Sequence, residues 1–385
     1  MKHIFAITFL VAFSSCSKEI INLKEYNYSK PIEKNDNIEV RNISEYNIDT
    51  VTLHKLNTDL IDESVYNVHS VLIYKDGFLF YEKYLRGADE RHGKKLGIIE
   101  HNINTLHDVR SISKSVVSAC VGIAIEKGLI KNINERLENY FPELCRNNDR
   151  KSRITIKNLL TMSSGLDWEE IGKHNRLLND ETKMDLSFNP IKFILDKKVV
   201  SEPGDNWNYS AGNTQLLAEI IYKVSGRNIY EFATEYLFEP LGIKATQWVN
   251  LKVKKIPAAA SGLRLTSRDL LKIGILYKDN GLFNNDQVIS SGWIENSMTT
   301  HIKRPDLTNL KLKNGGYGLQ FWTYEFEVKN RMLKIVEAKG NGGQSIFICR
   351  ELNLVVVITA GNYGKSEHND TPYRILKDYV LFSML

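Results

Sequence analysis

Val109-Arg110-Ser111-Ile112-Ser113-Lys114-Ser115 decides how the rest of the chain is read. Ser111 follows Asp108-Val109-Arg110 and stands where a helical pattern begins. Val116, Val117, Cys120, Ile123 and Ala124 then recur at helical spacing, and Lys127-Gly128 closes the run. Residues three apart share a helix face, which brings Lys114 Nζ within reach of Ser111 Oγ. A serine hydroxyl is a weak nucleophile until an adjacent base takes its proton, and the amide groups at a helix N-terminus favour developing negative charge. Lysine serves as that base only when neutral. Bringing its pKa from ~10.4 to ~7 costs about 4–5 kcal/mol, which calls for burial and nearby positive charge. The apolar helix supplies burial, and Arg110 is the candidate for the charge. Asp108 reads as a cap rather than a catalytic acid. The second Ser-x-x-Lys, Ser15–Lys18, straddles a cleavage site described below and carries no chemistry.

On the N-terminal side, Ser70-Val-Leu-Ile-Tyr74 and Phe78–Leu85 read as strands joined by a hairpin at Lys75-Asp76-Gly77. Arg86 to His107 reads as a looser region. On the C-terminal side, the patterns from Ile154 to about Trp248 are helical: Ile156–Met162, Thr214–Ser225 closed by Gly226, and Ile229–Phe238 stopped by Pro240. Ser267–Tyr277 reads as a further helix. Ser345–Cys349 and Leu354–Thr359 read as a hairpin, and Tyr373–Phe382 as a closing helix with Pro372 at its start. Strands at both ends around a helical middle predict an α+β fold. One antiparallel sheet is built from both termini and flanked by helices, with a mostly helical lobe inserted at about 150–250.

The chain has 385 residues, 42% hydrophobic and 25% charged, which are the proportions of a globular protein. A net charge of +5 spread along the chain gives no clustered basic face for nucleic acid. Lys2 and His3 precede the apolar run Ile4–Phe13, and Ser14-Ser15-Cys16 follows. That pattern predicts a secretory signal over residues 1–15, with a run too short to span a bilayer. Residues 16–64 then read as a tether and an arm lying on the body. Cys120, Cys145 and Cys349 read as buried small hydrophobes. There is no Gly-x-Ser-x-Gly elbow, no phosphate-binding Gly-rich loop and no His-Glu-x-x-His. The nine histidines are scattered, so the sequence indicates no metal site and no cofactor. Asp167, Glu169 and Glu170 read as a solvated turn.

The Val109–Ser115 stretch resembles the serine–lysine motif of the serine hydrolases related to class C β-lactamases, D,D-peptidases, esterases and nylon-oligomer hydrolases. Other stretches are similar to that family's segments and fall in its order: Thr155–Trp168, Glu202-Pro-Gly-Asp-Asn-Trp-Asn-Tyr-Ser210, Leu237–Ile243, Ser261–Leu270, Gly340-Asn-Gly-Gly-Gln344 and the strand Asn353–Gly361. The likeness covers about residues 65–385 and implies the β-lactamase/D,D-peptidase fold. By position it implies Ser111 as nucleophile, with Lys114 and Tyr209 as proton-transfer groups and the backbone amides of Ser111 and Gln344 as the oxyanion hole. Asn341, Gly342, Gly343, Asn213 and Trp168 are implied as substrate-binding residues. Ser14-Ser15-Cys16 resembles a bacterial lipobox, which implies cleavage before Cys16, lipid on its thiol, and an exported, membrane-anchored lipoprotein.

Two departures from the family stand out. Many members read Tyr-x-Asn, but Ala211 occupies the Asn position; Asn213 is the candidate substitute, and Ser187-Phe188-Asn189 the weaker alternative register. The family's Lys or His position in the third motif holds Asn341. Lys339 reads as a surface lysine on an edge strand, its alternative being the missing charge in the cleft. Trp207 and Trp322 read as pocket or packing residues. The expected activity is hydrolysis of a small ester or amide, with a small molecule or short peptide as substrate. A D,D-peptidase or β-lactamase is the second reading, and an inactive surface binding lipoprotein the third.

Overall fold

In the computed structural model, which describes residues 28–62, 64–145, 149–170, 179–304 and 312–385, eight strands form one sheet. Their order is Ile302–Lys303, Lys313–Tyr317, Trp322–Val328, Arg331–Gly340, Gln344–Cys349, Leu354–Ala360, Val68–Lys75, Phe78–Tyr84. Every neighbouring pair is antiparallel. The N- and C-terminal segments meet as expected, with Ile73 opposite Val356. Leu354-Val-Val-Val-Ile-Thr-Ala360 is buried along its whole length. Such a run without alternation belongs to a strand covered on both faces. Asp76 and Gly77 are both left-handed (φ 49° and 95°), the requirement of a tight two-residue hairpin turn.

The sheet is covered on both sides. Facing one side lie the Ser111 helix (Ile112–Glu126), Ala211–Ser225 and Ser267–Lys278, with the helical lobe beyond. Facing the other lie Thr50–Ile61 and the C-terminal helix, Thr371–Arg374 running on as a π-helical segment Ile375–Leu381. Asp49 caps Thr50–Ile61 by accepting from the amides of Val51 and Thr52. The buried Leu53, Leu56 and Leu60 then press that helix onto the body. The folded body thus includes residues that the sequence reading assigns to the arm. The signal segment and Cys16 lie outside the described residues. Cys120 and Cys349 are buried and unpaired. Among the described residues no helix is long and apolar enough to cross a membrane.

The region expected to be loose, 86–107, is instead a hairpin, Arg86–Arg91 with Lys94–Glu100, followed by the short strand His107–Asp108. Its strands carry little apolar residue because much of their surface faces solvent; on the first strand only Gly87 and Asp89 are buried, so no hydrophobic alternation marks it. The Ser267–Lys278 helix approaches the sheet closely at Gly274, where a Cβ would lie 2.5 Å from Val355 Cγ1 and 2.8 Å from Ile346 Cγ2. Gly274→Val should therefore lower stability by about 1–3 kcal/mol through overpacking. Thermal unfolding followed by circular dichroism measures this; an unchanged midpoint would show that the helix can move off the sheet at no cost.

Candidate active site

Ser111 is the N-cap of Ile112–Glu126, and its side chain makes no capping hydrogen bond. The hydroxyl is thereby left for other partners. Arg110, just before it, is left-handed at φ 50°, a costly conformation for a non-glycine residue that turns the chain from strand His107–Asp108 into the helix. The Arg110 guanidinium holds Glu90 at 2.5 Å, lies 3.6 Å from Asp108 and stacks over Tyr363 at 4.8 Å. The charge expected beside Lys114 is thus spent elsewhere. Asp108 is not a cap either. It is fully buried and accepts from Arg264 Nε at 2.7 Å and from the His92 amide at 2.6 Å, which anchors the strand that leads into Ser111.

Lys114 is buried, 1% exposed. Its Nζ donates to Ser111 Oγ at 3.0 Å and to the Ala260 carbonyl at 3.1 Å. Tyr209 precedes the helix Ala211–Ser225, which Ser210 caps by accepting from the Asn213 amide. Its ring lies 4.8 Å from Lys114 Nζ and its hydroxyl hydrogen-bonds Ser111. Burial first, then the charge of Glu170, pushes the Tyr209 phenol well above its ordinary pKa, and the bond with Ser111 offsets this only in part. Trp322 packs on Tyr209 with ring centres 5.6 Å apart, and Trp207 and Tyr317 extend this aromatic wall at 5.7 and 5.2 Å from Trp322. The structure thus brings Ser111, Lys114 and Tyr209 together. Ser187-Phe188-Asn189 lies apart from them: Phe188 is exposed, and Asn189 caps the helix Pro190–Leu195 by accepting from Lys192 N.

Glu170 is the residue that sequence reasoning missed. Rather than facing solvent, its Oε2 accepts from the Ala211 amide at 2.7 Å and from Trp168 Nε1 at 2.8 Å. Its carboxylate meets the helix exactly where Ala211 replaces the family's asparagine; the missing side chain at 211 was the signal available. Burial, then the charge of Glu181, raises the Glu170 pKa to about 7, against the pull of Lys114. A carboxyl with a raised folded pKa contributes stability that is fully present below its unfolded value and is lost as pH rises through the folded one. Glu170→Gln, which keeps an oxygen acceptor, should therefore gain stability relative to wild type between pH 5 and pH 8. Paired melts across that range check it; a constant difference would mean that Glu170 does not titrate there.

The remaining expected site residues are placed as follows. Trp168 is buried, packed against Gly212 and edge-on to Phe193, and its indole N–H holds Glu170. Asn213 is fully buried, its amide oxygen accepting from Ser164 Oγ at 2.9 Å. Asn341, Gly342 and Gly343 form the turn between Arg331–Gly340 and Gln344–Cys349. Both glycines are left-handed, at φ 94°, as a turn this tight requires. Gly340 allows the strand to pass the nucleophile turn, since a Cβ there would lie 2.3 Å from the Val109 carbonyl. Asn341 Oδ1 accepts from the Gly364 amide. Gln344 is held by its side chain, which accepts from the Ala360 amide and donates to the Ala360 carbonyl. Lys339 is not a surface lysine: its Nζ donates to Tyr373 Oη at 2.7 Å and lies 6.0 Å from the Trp322 ring. Burial lowers its pKa, with Glu337 opposing. Among the described residues, the group of His, Cys, Asp and Glu side chains spaced for a metal is His69, Asp89, His101 and His107.

The Beta-lactamase family profile matches residues 60–379. The chain is 26% identical over 264 residues to 6-aminohexanoate-dimer hydrolase of Paenarthrobacter ureafaciens, a match covering 65% of this chain and 65% of that enzyme. Solved structures that share the fold include the following two. EstCE1, a hydrolase with promiscuous acyltransferase activity, superposes with a TM-score of 0.66 at 15% identity, covering 84% of this chain and 98% of that one. Class C beta lactamase from Rhodobacter sphaeroides gives 0.61 at 16%, covering 86% and 100%.

Proposed function

The chain belongs to the Beta-lactamase family and is a serine hydrolase, and from that premise we propose that it cleaves a small ester or amide through an acyl-enzyme on Ser111. The observation that carries this reading is the Ser111 hydroxyl held 3.0 Å from buried Lys114 Nζ and hydrogen-bonded to Tyr209. Ser111 Oγ attacks the carbonyl carbon while its proton passes to Lys114 Nζ. The Ser111 and Gln344 amides receive the oxyanion; losing one such donor typically costs ~100- to 1,000-fold. Tyr209, whose phenol burial keeps protonated, donates to the departing alkoxide or amine and is reprotonated from Lys114. Water then attacks the acyl carbon, its proton follows the same relay, and Ser111 leaves restored. The Trp207–Tyr209–Trp322 wall suits an apolar acyl or leaving group.

The test is a substrate panel on the purified full chain: p-nitrophenyl esters, a linear amide with a free carboxylate, and nitrocefin. Esters should turn over fastest; Ser111-dependent nitrocefin turnover as the leading activity would reverse the ranking. One observation favours a second reading, a D,D-peptidase or amidase for acidic substrates. Lys339 and Arg304 lie 6.0 and 4.6 Å from the Trp322 ring and together could hold a substrate carboxylate. If so, Lys339→Met should raise KM for the acidic amide by ~10-fold or more while leaving a neutral ester unchanged; equal effects on both would reject that role.

We also propose that residues 1–15 are removed on export and that Cys16 carries lipid. Incorporation of an alkyne fatty acid in cells, lost in Cys16→Ala, tests this; label retained by the variant would refute it.

A further inference from the structure

We propose that His69, Asp89, His101 and His107 form a closed structural site for one divalent transition-metal ion of the zinc class. The four residues come from four places in the chain: His69 from strand Val68–Lys75, Asp89 from the first hairpin strand Arg86–Arg91, His101 from just past the second hairpin strand Lys94–Glu100, and His107 from strand His107–Asp108. All are buried, at 0, 7, 8 and 2% exposure, and one ligand atom from each lies within 4.8 Å of all the others. His69 Nδ1 is 2.8 Å from His107 Nε2, His101 Nε2 is 3.3 Å from Asp89 Oδ2, and His107 Nε2 is 3.7 Å from Asp89 Oδ1. A tetrahedral ion with bonds of about 2.0–2.1 Å has ligand–ligand edges of roughly 3.3 Å.

The hydrogen bonds around the cluster decide which nitrogens carry protons. Asn67 is locked in orientation: its Nδ2 donates to the Ala88 carbonyl at 3.0 Å and its Oδ1 accepts from the Ala88 amide at 2.9 Å. His69 Nε2 faces that Oδ1 at 3.3 Å and so bears the proton. His101 Nδ1 faces the Leu85 carbonyl at 2.8 Å, and His107 Nδ1 faces the Asp108 carbonyl at 3.2 Å, with Tyr363 Oη at 3.3 Å. Carbonyls only accept, so these nitrogens also bear protons. The three inward nitrogens are then lone pairs. Two of them face each other at 2.8 Å, and the third faces a carboxylate at 3.3 Å. Each contact is repulsive unless positive charge sits between the partners.

Extra protons are a poor source of that charge: relieving both contacts with them calls for one on His101 and one on His69 or His107, two imidazoliums with ring centres 3.8 or 5.9 Å apart in one buried cluster. One divalent ion satisfies all four groups, with the outward N–H bonds acting as the orienting shell usual for metal-bound histidines. The surroundings are cut to the rings: a Cβ on Gly87 would lie 2.7 Å from His69 Nε2, and one on Gly361 2.6 Å from His69 Cε1. Four buried protein ligands leave no open position, which marks a structural rather than a catalytic site. The ion would tie the exposed hairpin to the sheet. That hairpin carries Glu90, the partner of Arg110, so the ion also steadies the turn that presents Ser111.

The test uses the full chain, stripped with a chelator and titrated with Zn2+ or Co2+ alone. The expected result is one equivalent bound per chain, the intense visible absorption of tetrahedral Co2+, and a rise in melting temperature of ~5–10 °C. His101→Ala and Asp89→Asn should lose the stoichiometric uptake and the spectrum. Because these variants are in the core, the wild type decides alone if they fail to fold. Stripped wild type that unfolds and is restored by Zn2+ supports the proposal. Stripped wild type that stays folded, takes up less than stoichiometric metal and melts unchanged overturns it, and the cluster is then a hydrogen-bonded imidazole network.

Discussion

Ser111→Ala should abolish turnover of every substrate the wild type accepts, by roughly 10,000- to 1,000,000-fold, and should remove the single adduct that a fluorophosphonate probe leaves on the wild type. The size of the loss follows from the geometry. Lys114 and Tyr209 both converge on the Ser111 hydroxyl, and neither of the next two serines on the helix is placed to replace it. Ser113 Oγ donates to the Arg110 carbonyl and Ser115 Oγ to the Gln320 carbonyl. Ser111 is free of a capping role, so alanine should leave the fold intact, and equal melting temperatures establish that the comparison is fair. Intact-mass analysis reads the adduct, in which Ser111 Oγ bonds to phosphorus and fluoride departs. No adduct on folded wild type, or one that persists in Ser111→Ala, would remove Ser111 from the mechanism.

Lys114→Ala should cost the next largest factor, about 100- to 10,000-fold in kcat. Tyr209 cannot take over as base, because burial and the nearby Glu170 keep its phenol protonated. Lys114→Arg should be no better than alanine: arginine keeps the charge but does not give up its proton. Steady-state kinetics on both variants separates the possibilities. Activity restored by arginine would mean that position 114 supplies charge rather than a base, and would shift the proton transfer to Tyr209.

Four of the eight strands of the sheet were legible, because strands covered on both sides read as β-branched runs, as at Leu354–Ala360; Ile302–Lys303, Lys313–Tyr317, Trp322–Val328 and Arg331–Gly340 were not assigned from sequence. The helices announced themselves by spacing and by stops such as Gly226. The Arg86–Glu100 hairpin was not legible, since its strands are largely solvated and polar. Within the site, Ser111 and Lys114 could be paired from sequence because three residues along a helix is a local distance. Tyr209 required the resemblance of its surrounding motif, as nothing local links it to Ser111.

What the sequence determined by itself was therefore local: the serine–lysine helix, its terminal strands, and the family that orders them. What only the tertiary structure decided was which distant polar groups share one low-dielectric space. Glu170 looks like a turn carboxylate until the Ala211 amide and Trp168 draw it inside. Lys339 looks like an edge-strand cation until Tyr373 and Trp322 enclose it. The histidines look scattered until three segments of the chain carry them to within 4.8 Å of one another and of Asp89. Burial and charge act through space, whereas periodicity and capping act along the chain, and the sequence displays only the latter directly.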